Sequence, residues 1–184
     1  LKLAGAYLDD QEAILSEVAD NVMVNVYYKP FFYKQNTLYE LEIIKDLAKY
    51  SGYSPLIEHI LLYYKESPDY LYSAANKCSL PVYLEKTLNI TQVDSFRNQL
   101  NSISSFGMFT PAEAPNLICA AYELKLTGIL DHSGDAYLLF IIPAERLSQQ
   151  IERISGIASE HITAIYLNDQ LLYSQSGAAH TLSQ

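Results

Sequence analysis

Hydrophobic side chains recur at alternating spacings of three and four along the first 26 residues, which is the period of a helix with one apolar face. The positions of this repeat are Leu1, Ala4, Leu8, Gln11, Leu15, Val18, Val22 and Asn25. Gln11 and Asn25 interrupt the repeat with amides, and Pro30 ends it because the residue before a proline avoids the helical region. The pattern predicts a helix over residues 1–26, which either packs on its own domain or forms a stalk that pairs with another copy.

A second helix is predicted to begin at residue 37. Thr37 and Glu40 have the spacing of a capping box, in which each side chain accepts a backbone N–H of the other residue. Gly52 is a suitable end, because glycine tolerates the left-handed conformation that follows many helices. The face predicted to be buried consists of Leu38, Leu41, Ile44 and Leu47.

Residues 60–73, with the sequence ILLYYKESPDYLYS, are typical of a β-hairpin that is rich in tyrosine. Alternation predicts two faces for the first strand, one with Ile60, Leu62 and Tyr64 and the other with Leu61 and Tyr63. A polar turn at 65–69 leads to a return strand with Tyr70 and Tyr72 on one face. The stretch AIYLNDQLLYS has a similar pattern, which predicts a second hairpin over 162–174.

Two short helices are predicted between these hairpins. The first covers 80–89, and the second covers about 91–103 with Thr91 as its cap and with Phe96 and Leu100 facing inward. Asn89-Ile90-Thr91 also spells a glycosylation acceptor sequence, but the capping role of Thr91 explains the threonine more simply.

A period of two then predicts three strands, over 104–110, 117–126 and 136–142. The third is apolar on both faces, which is typical of a central strand. Pro143 opens a further helix, which Gly156 ends. This order of elements predicts an α+β domain with an antiparallel sheet and helices laid over one face, an arrangement similar to a PAS-like sensory fold.

Composition and charge narrow the classes of function. The chain has 184 residues, a size that suggests one domain or one domain with part of another, and its first residue, Leu1, indicates a piece of a longer protein. The net charge of −9, without any basic block, argues against direct nucleic-acid binding. No apolar run reaches the roughly 18 residues of a membrane span, so the piece itself is expected to be soluble. Cys78 and Cys119 allow at most one disulfide.

No motif in the sequence predicts catalysis, a metal or a cofactor. The four histidines lie far apart, at His59, His132, His161 and His180, without the spacing of a metal site. Nucleophile elbows, phosphate loops and dinucleotide fingerprints are missing from the sequence. We therefore expect a protein that is not an enzyme and needs no cofactor.

Tyrosine is the residue type that favours a binding function, because it combines apolar area with a hydroxyl at its tip. Tyr64, Tyr72 and Tyr122 each fall on a predicted strand and could share one face. Arg97, in the helix expected to cover that face, would bind a carboxylate or a sugar hydroxyl. The alternative is that these tyrosines pack the core and that Arg97 lies on the helix surface.

Taken together, the segments TLYELEIIKDLAKYSGYSPLIEHILLYYKESPDYLYS, LICAAYELKL, AYLLFIIPAERLSQQIERI and ITAIYLNDQLLYSQSG carry a family resemblance. The chain resembles the extracytoplasmic double Cache sensor region of membrane-bound bacterial regulators. The resemblance is greatest to those of Firmicutes that carry an AraC-type DNA-binding domain, and extends to related sensor histidine kinases.

The resemblance implies a division of the chain into three parts. Residues 1–26 would be a stalk-like helix, 27–142 a membrane-distal PAS-like module, and 143–184 a connecting helix with the first hairpin of a membrane-proximal module. The residues after Gly156 are too few for a full second module, which would be truncated or reduced here. The implied location is the extracytoplasmic side of the cell membrane.

The resemblance also implies a function. The domain would bind a small molecule, a sugar or an organic acid, and relay its presence through the terminal helices. The chain has no tryptophan, so the arginine-tryptophan-tyrosine motif of amino-acid-binding Cache domains is missing. The alternative is an interaction module without a small-molecule site, which would form a homodimer or receive a solute-binding protein.

Overall fold

The computed structural model describes residues 2–29, 37–126, 134–156, 164–167 and 170–174. These residues form five α-helices: α1 (Lys2–Val24), α2 (Thr37–Tyr50), α3 (Leu80–Leu88), α4 (Val93–Asn101) and α5 (Ala144–Ser155). A short 3-10 helix covers Val26–Tyr28. The strands are β1 (His59–Tyr64), β2 (Tyr70–Ser73), β3 (Lys77–Ser79), β4 (Phe106–Phe109), β5 (Leu117–Leu126), β6 (Gly134–Pro143), β7 (Ala164–Leu167) and β8 (Gln170–Ser174). The fold is α+β, as the sequence predicts.

Six strands form an antiparallel sheet with the order β3-β2-β1-β6-β5-β4. Strand β6 lies at its centre, with Phe140 opposite Ile60 of β1 and Ala120 of β5. The central position predicted for 136–142 is confirmed, because a strand with neighbours on both sides and helices on both faces must be apolar throughout. The hairpin predicted over 162–174 is confirmed as β7 and β8, which pair in a separate sheet.

Helices cover both faces of the sheet, so the expectation of helices over one face is wrong. One face packs against α1, α2 and α5, and we call it the α1 face; the other packs against α3 and α4, and we call it the α3 face. Strand β1 divides its side chains between them, as its alternation predicts. Ile60, Leu62 and Tyr64 lie in the core of the α1 face, and Leu61 and Tyr63 lie in that of the α3 face.

Helix α1 packs on its own domain, and the two amides that interrupt its repeat explain how. Leu15 and Val18 are buried in the core of the α1 face. The Gln11 side chain accepts a hydrogen bond from the hydroxyl of Ser54, and the Asn25 amide donates one to Asp46 over 3.0 Å. Both polar interruptions therefore attach the helix to the same domain.

The buried face of α2 is rotated from the predicted one, which is right at Leu47 and at the partly buried Ile44 and wrong at Leu38 and Leu41. Leu38 is 65% exposed and Leu41 is 48% exposed, whereas Ile43 and Leu47 are fully buried. Asp46 lies on the buried side of α2. Because unpaired carboxylates avoid cores, the sequence favours a helix orientation in which this side is exposed. The partners of Asp46 are supplied by the fold, because Asn25 and Lys49 both donate to its oxygens.

The two predicted N-terminal caps are replaced by other contacts. Thr37 already lies within α2, and the Glu40 carboxylate accepts hydrogen bonds from Tyr72 and Lys77 of the neighbouring hairpin. Helix α4 begins at Val93 with Gln92 as its cap. The two residues before the helix are held by Glu113, which accepts 2.7 Å hydrogen bonds from the backbone N–H groups of both Thr91 and Gln92 and a third from the Thr91 hydroxyl.

None of the helices in the described ranges combines the length and the apolar composition that crossing a membrane requires.

Glu123 provides a prediction on acid stability. Its carboxylate contacts the ammonium groups of Lys65 at 2.5 Å and Lys125 at 2.9 Å, and these hydrogen bonds lower its pKa from 4.5 to about 2. Because the folded-state pKa is the lower one, this stabilisation is present above about pH 4.5 and is lost as the pH falls through about 2. We expect Glu123→Gln to lower the free energy of unfolding by about 1–2 kcal/mol at pH 7, measured by urea denaturation.

The matched control is Glu85→Gln, which removes an exposed ion pair with Lys86. We expect this variant to keep the acid dependence of the original chain, whereas Glu123→Gln flattens it. Equal slopes of stability against pH between 4.5 and 2 in the original chain and in Glu123→Gln would contradict the assignment.

Candidate functional site

Three predicted site residues, Tyr64, Tyr72 and Tyr122, share the α1 face as expected, but all three hydroxyls bind the protein itself. Tyr64 donates to the carbonyl of Tyr28 at 2.7 Å, and Tyr72 donates to Glu40 at 2.8 Å. Tyr122 donates to the carbonyl of Glu12 at 3.3 Å. These contacts favour the core-packing interpretation, and a role in ligand binding stays a prediction.

Arg97 lies on the opposite side of the sheet from these tyrosines, so the expectation that it covers their face is wrong. Helix α4 buries Phe96 and Leu100 in the core of the α3 face. The Arg97 guanidinium donates to the carbonyl of Pro68 at 2.7 Å and lies 3.5 Å from the carboxylate of Asp69. It attaches the β1–β2 turn to α4, and it cannot join the three tyrosines in one site.

A cavity of about 30 Å³ lies between α1, α5 and the sheet, with Leu8, Leu15, Ile118 and Leu147 among its apolar walls. That volume holds about one water molecule and is too small for an organic ligand. We therefore exclude it as a ligand site.

A much larger recess, of about 480 Å³, opens between the start of β1, the β2–β3 turn and helix α3. We call it the larger recess. Its lining residues are Ser51, Glu58, His59, Ile60, Ser73, Ala74, Ala75, Asn76, Cys78, Val82, Tyr83, Lys86 and Thr87. Its volume falls within the roughly 300–1,000 Å³ of small-molecule sites.

His59 and Tyr83 give this recess its hydrogen-bonding chemistry. Their rings meet edge to face, with centroids 6.0 Å apart. Burial raises the pKa of Tyr83 to about 12, and burial lowers the pKa of His59 despite the nearby carboxylate of Glu58. Both side chains are therefore uncharged at neutral pH and offer donors and acceptors to a neutral ligand.

Cys78 lines the same recess as a half-buried thiol, and burial raises its pKa. A protonated thiol is a poor nucleophile, so the geometry gives no support to thiol catalysis. Cys119 is fully buried, and burial raises its pKa to about 12. Cys78 is thus the more accessible of the two thiols.

A smaller recess of about 360 Å³ lies next to the larger one. Its lining residues are Glu58, Thr87, Leu88, Asn89, Glu113, Ala114, Asn116 and Leu117. Glu58 and Thr87 line both recesses, so the two adjoin along the end of α3. We call the pair of recesses the groove.

The rim of the groove is attached to the beginning of α5. The Arg146 guanidinium donates to the carbonyl of Ile57 at 3.0 Å and contacts the Glu58 carboxylate at 3.3 Å. The N–H of Ala144 donates to the carbonyl of Asn116 over 2.9 Å. The partners of Arg146 and Ala144 are Ile57, Glu58 and Asn116. Glu58 and Asn116 line the groove, so a change in the groove acts directly on α5.

Little in the sequence indicates this site. His59 and Tyr83 are far apart along the chain, and the turn that completes the wall depends on β3, a strand of only three residues. Comparison of the chain with protein-family models and with curated proteins finds no match.

Proposed function

We propose that this chain is the extracytoplasmic sensory domain of a membrane-anchored AraC-type regulator and that it binds a small polar molecule in the larger recess. The observation that carries the binding function is the pairing of His59 and Tyr83 in a recess of about 480 Å³. Within the described part of the chain, neither side chain has a hydrogen-bond partner, so both are available to a ligand. Membrane anchoring and the DNA-binding output rest on the family resemblance alone.

The recess favours an uncharged polar ligand. Ile60, Val82 and the ring of Tyr83 give it apolar walls, and His59 and Asn76 add a few polar groups. Binding sites commonly combine apolar walls for affinity with a few polar groups for orientation. An aromatic ring with neutral donors and acceptors suits a sugar ring, which has an apolar face and hydroxyls at its edge.

The signal would leave through the terminal helices. Helix α5 is attached to the groove by Arg146 and packs against α1 on the far face of the sheet. A ligand that binds one arrangement of these helices better than another shifts the population toward it. In chain order, α5 is followed by the β7–β8 hairpin.

A dimerisation module has less support. Leu15 and Val18 of the apolar repeat are occupied by the domain's own core. Exposed positions of α1 include Asp9, Asp10, Glu17 and Asp20. A parallel or antiparallel pairing through that face would bring like charges together, which opposes association.

A thermal-shift screen of monosaccharides, disaccharides and organic acids tests the proposal. We expect at least one sugar to raise Tm, by roughly 5–10 °C at 100 times its Kd. His59→Gln and Tyr83→Phe should weaken its binding about tenfold, because the first replaces the imidazole ring and its fixed nitrogen positions with a flexible amide and the second removes a hydroxyl. Tyr53→Phe is the matched control, since Tyr53 is half exposed and does not line the groove.

Two results would overturn the binding proposal. One is a screen in which no compound changes Tm at millimolar concentration. The other is a ligand whose Kd is the same in His59→Gln, Tyr83→Phe and Tyr53→Phe, which would place its site elsewhere.

A further inference from the structure

We infer that the ligand is a neutral disaccharide or glycoside that occupies both recesses, with one unit beside Tyr83 and the next beside Asn116. This inference rests on the proposed function. Its basis is that Glu58 and Thr87 line the larger and the smaller recess alike, so the two recesses adjoin at these side chains and one ligand can extend from the first into the second. A single sugar would fill one recess and leave the other to water.

The charges of the groove exclude an anionic ligand. The charged side chains that line the smaller recess within the described residues are Glu58 and Glu113, both carboxylates. In the larger recess the one lysine, Lys86, is exposed and paired with Glu85. The whole chain carries a net charge of −9, which adds to the repulsion of anions. An organic acid is therefore the less suitable ligand.

The smaller recess is rich in hydrogen-bond acceptors. Asn89 and Asn116 add amide oxygens to the Glu58 carboxylate, whereas the Glu113 carboxylate already accepts three hydrogen bonds from Thr91 and Gln92. Glu58 receives one bond from Arg146, which leaves most of its roughly four acceptor positions open. Several acceptors around one small space suit a ligand that carries several hydroxyl donors without charge. A second sugar ring has this chemistry.

Thr87 lies where the two recesses meet. A substitution at this position therefore distinguishes a ligand of one sugar unit from a ligand of two. Its side chain is exposed on α3, so a larger residue there obstructs the passage without entering the core. A ligand confined to the larger recess should be weakened less by this change than a ligand that spans both recesses, because only the second must pass Thr87.

Isothermal titration calorimetry with defined probes tests the inference. The probes are cellobiose, lactose, maltose and sucrose, their component monosaccharides, and the anions malate and citrate. We expect one disaccharide to bind at least tenfold more tightly than its monosaccharides. Thr87→Trp should weaken the disaccharide at least about fivefold more than the monosaccharide, whereas Glu85→Trp, an exposed control on the same helix, should preserve the advantage of the disaccharide.

Equal affinity for a disaccharide and its monosaccharide would overturn the inference and leave the proposed function in place. Equal weakening of both by Thr87→Trp, or saturable binding of malate or citrate in the groove, would overturn it as well. If none of the probes binds, the proposed function is wrong, and the inference that rests on it is wrong as well.

Discussion

Replacing Phe140 with alanine is expected to lower the free energy of unfolding by about 4 kcal/mol, since large-to-small changes of buried aromatic residues cost roughly 3–5 kcal/mol. Phe140 is fully buried at the middle of β6, between β1 and β5. Its ring meets Tyr122 edge to face at 6.2 Å. Strands on both sides and helices above hold the surrounding backbone in place, so the cavity left by the ring cannot close fully.

Urea denaturation of the variant measures this loss. Tyr70→Ala is the matched control, because Tyr70 is an aromatic residue of the same sheet that is 51% exposed. We expect the control to lose less than about 1 kcal/mol, mostly from its contact with Lys77. A loss below about 1.5 kcal/mol for Phe140→Ala would show that the core around β6 collapses into the space, contrary to its central position.

Five of the six strands of the sheet could be predicted, because each is a short run rich in apolar and aromatic residues that is bounded by turn residues. Strand β3, which has only three residues, is not among them. Strand β5 places Ile118 and Ala120 in the core of the α1 face and Cys119 and Ala121 in that of the α3 face. A shift of one residue would exchange every side chain between the cores. All four residues are apolar, so an alternation of polar and apolar residues does not determine this register.

The errors arose where a polar group found its partner far along the chain. Asp46 is buried because Asn25, which is 21 residues away, donates a hydrogen bond to it. No local sequence pattern predicts that pair. The N-terminus of α4 is bound by Glu113, which is 22 residues from Thr91. At both positions the local sequence pattern predicts one contact, and the folded chain makes a different one with a residue far along the chain.

The candidate site was missed for a related reason. The sequence suggests a binding site at the tyrosines on strands. In the structure, Tyr64 and Tyr72 meet edge to face in the core, with ring centroids 5.9 Å apart. The groove is built instead from chain segments that the sheet brings together: the start of β1, the β2–β3 turn and α3. Neither His59 nor Tyr83 belongs to a local motif, so only the fold shows that they meet.

Filling the larger recess is expected to change the amide hydrogen exchange of helix α5, and Arg146→Ala is expected to abolish that response. Benzyl methanethiosulfonate can fill the recess without a known ligand, because it forms a mixed disulfide with Cys78 and releases methanesulfinate. Cys119 is fully buried and should not react in the folded protein. The benzylthio group would compete for space with Glu58, whose carboxylate contacts Arg146 at 3.3 Å.

In the original chain, labelling should change exchange over residues 144–155 severalfold, measured by mass spectrometry. Arg146→Ala removes the bonds to both Glu58 and the carbonyl of Ile57, so the label should still attach while α5 no longer responds. Arg153→Ala is the matched control, since it removes an exposed arginine from the same helix. Cys78→Ser shows the exchange without label.

This comparison separates a relay from general loosening of the fold. A label that only destabilised the domain would raise amide hydrogen exchange throughout the sheet. Arg146→Ala would then not prevent the rise in exchange in α5. A response confined to α5 and lost only with Arg146 requires that the groove and the helix act as one unit through that side chain. An unchanged α5 in the labelled original chain, or the same change in Arg146→Ala, would contradict the relay and leave the groove as a binding site without this output.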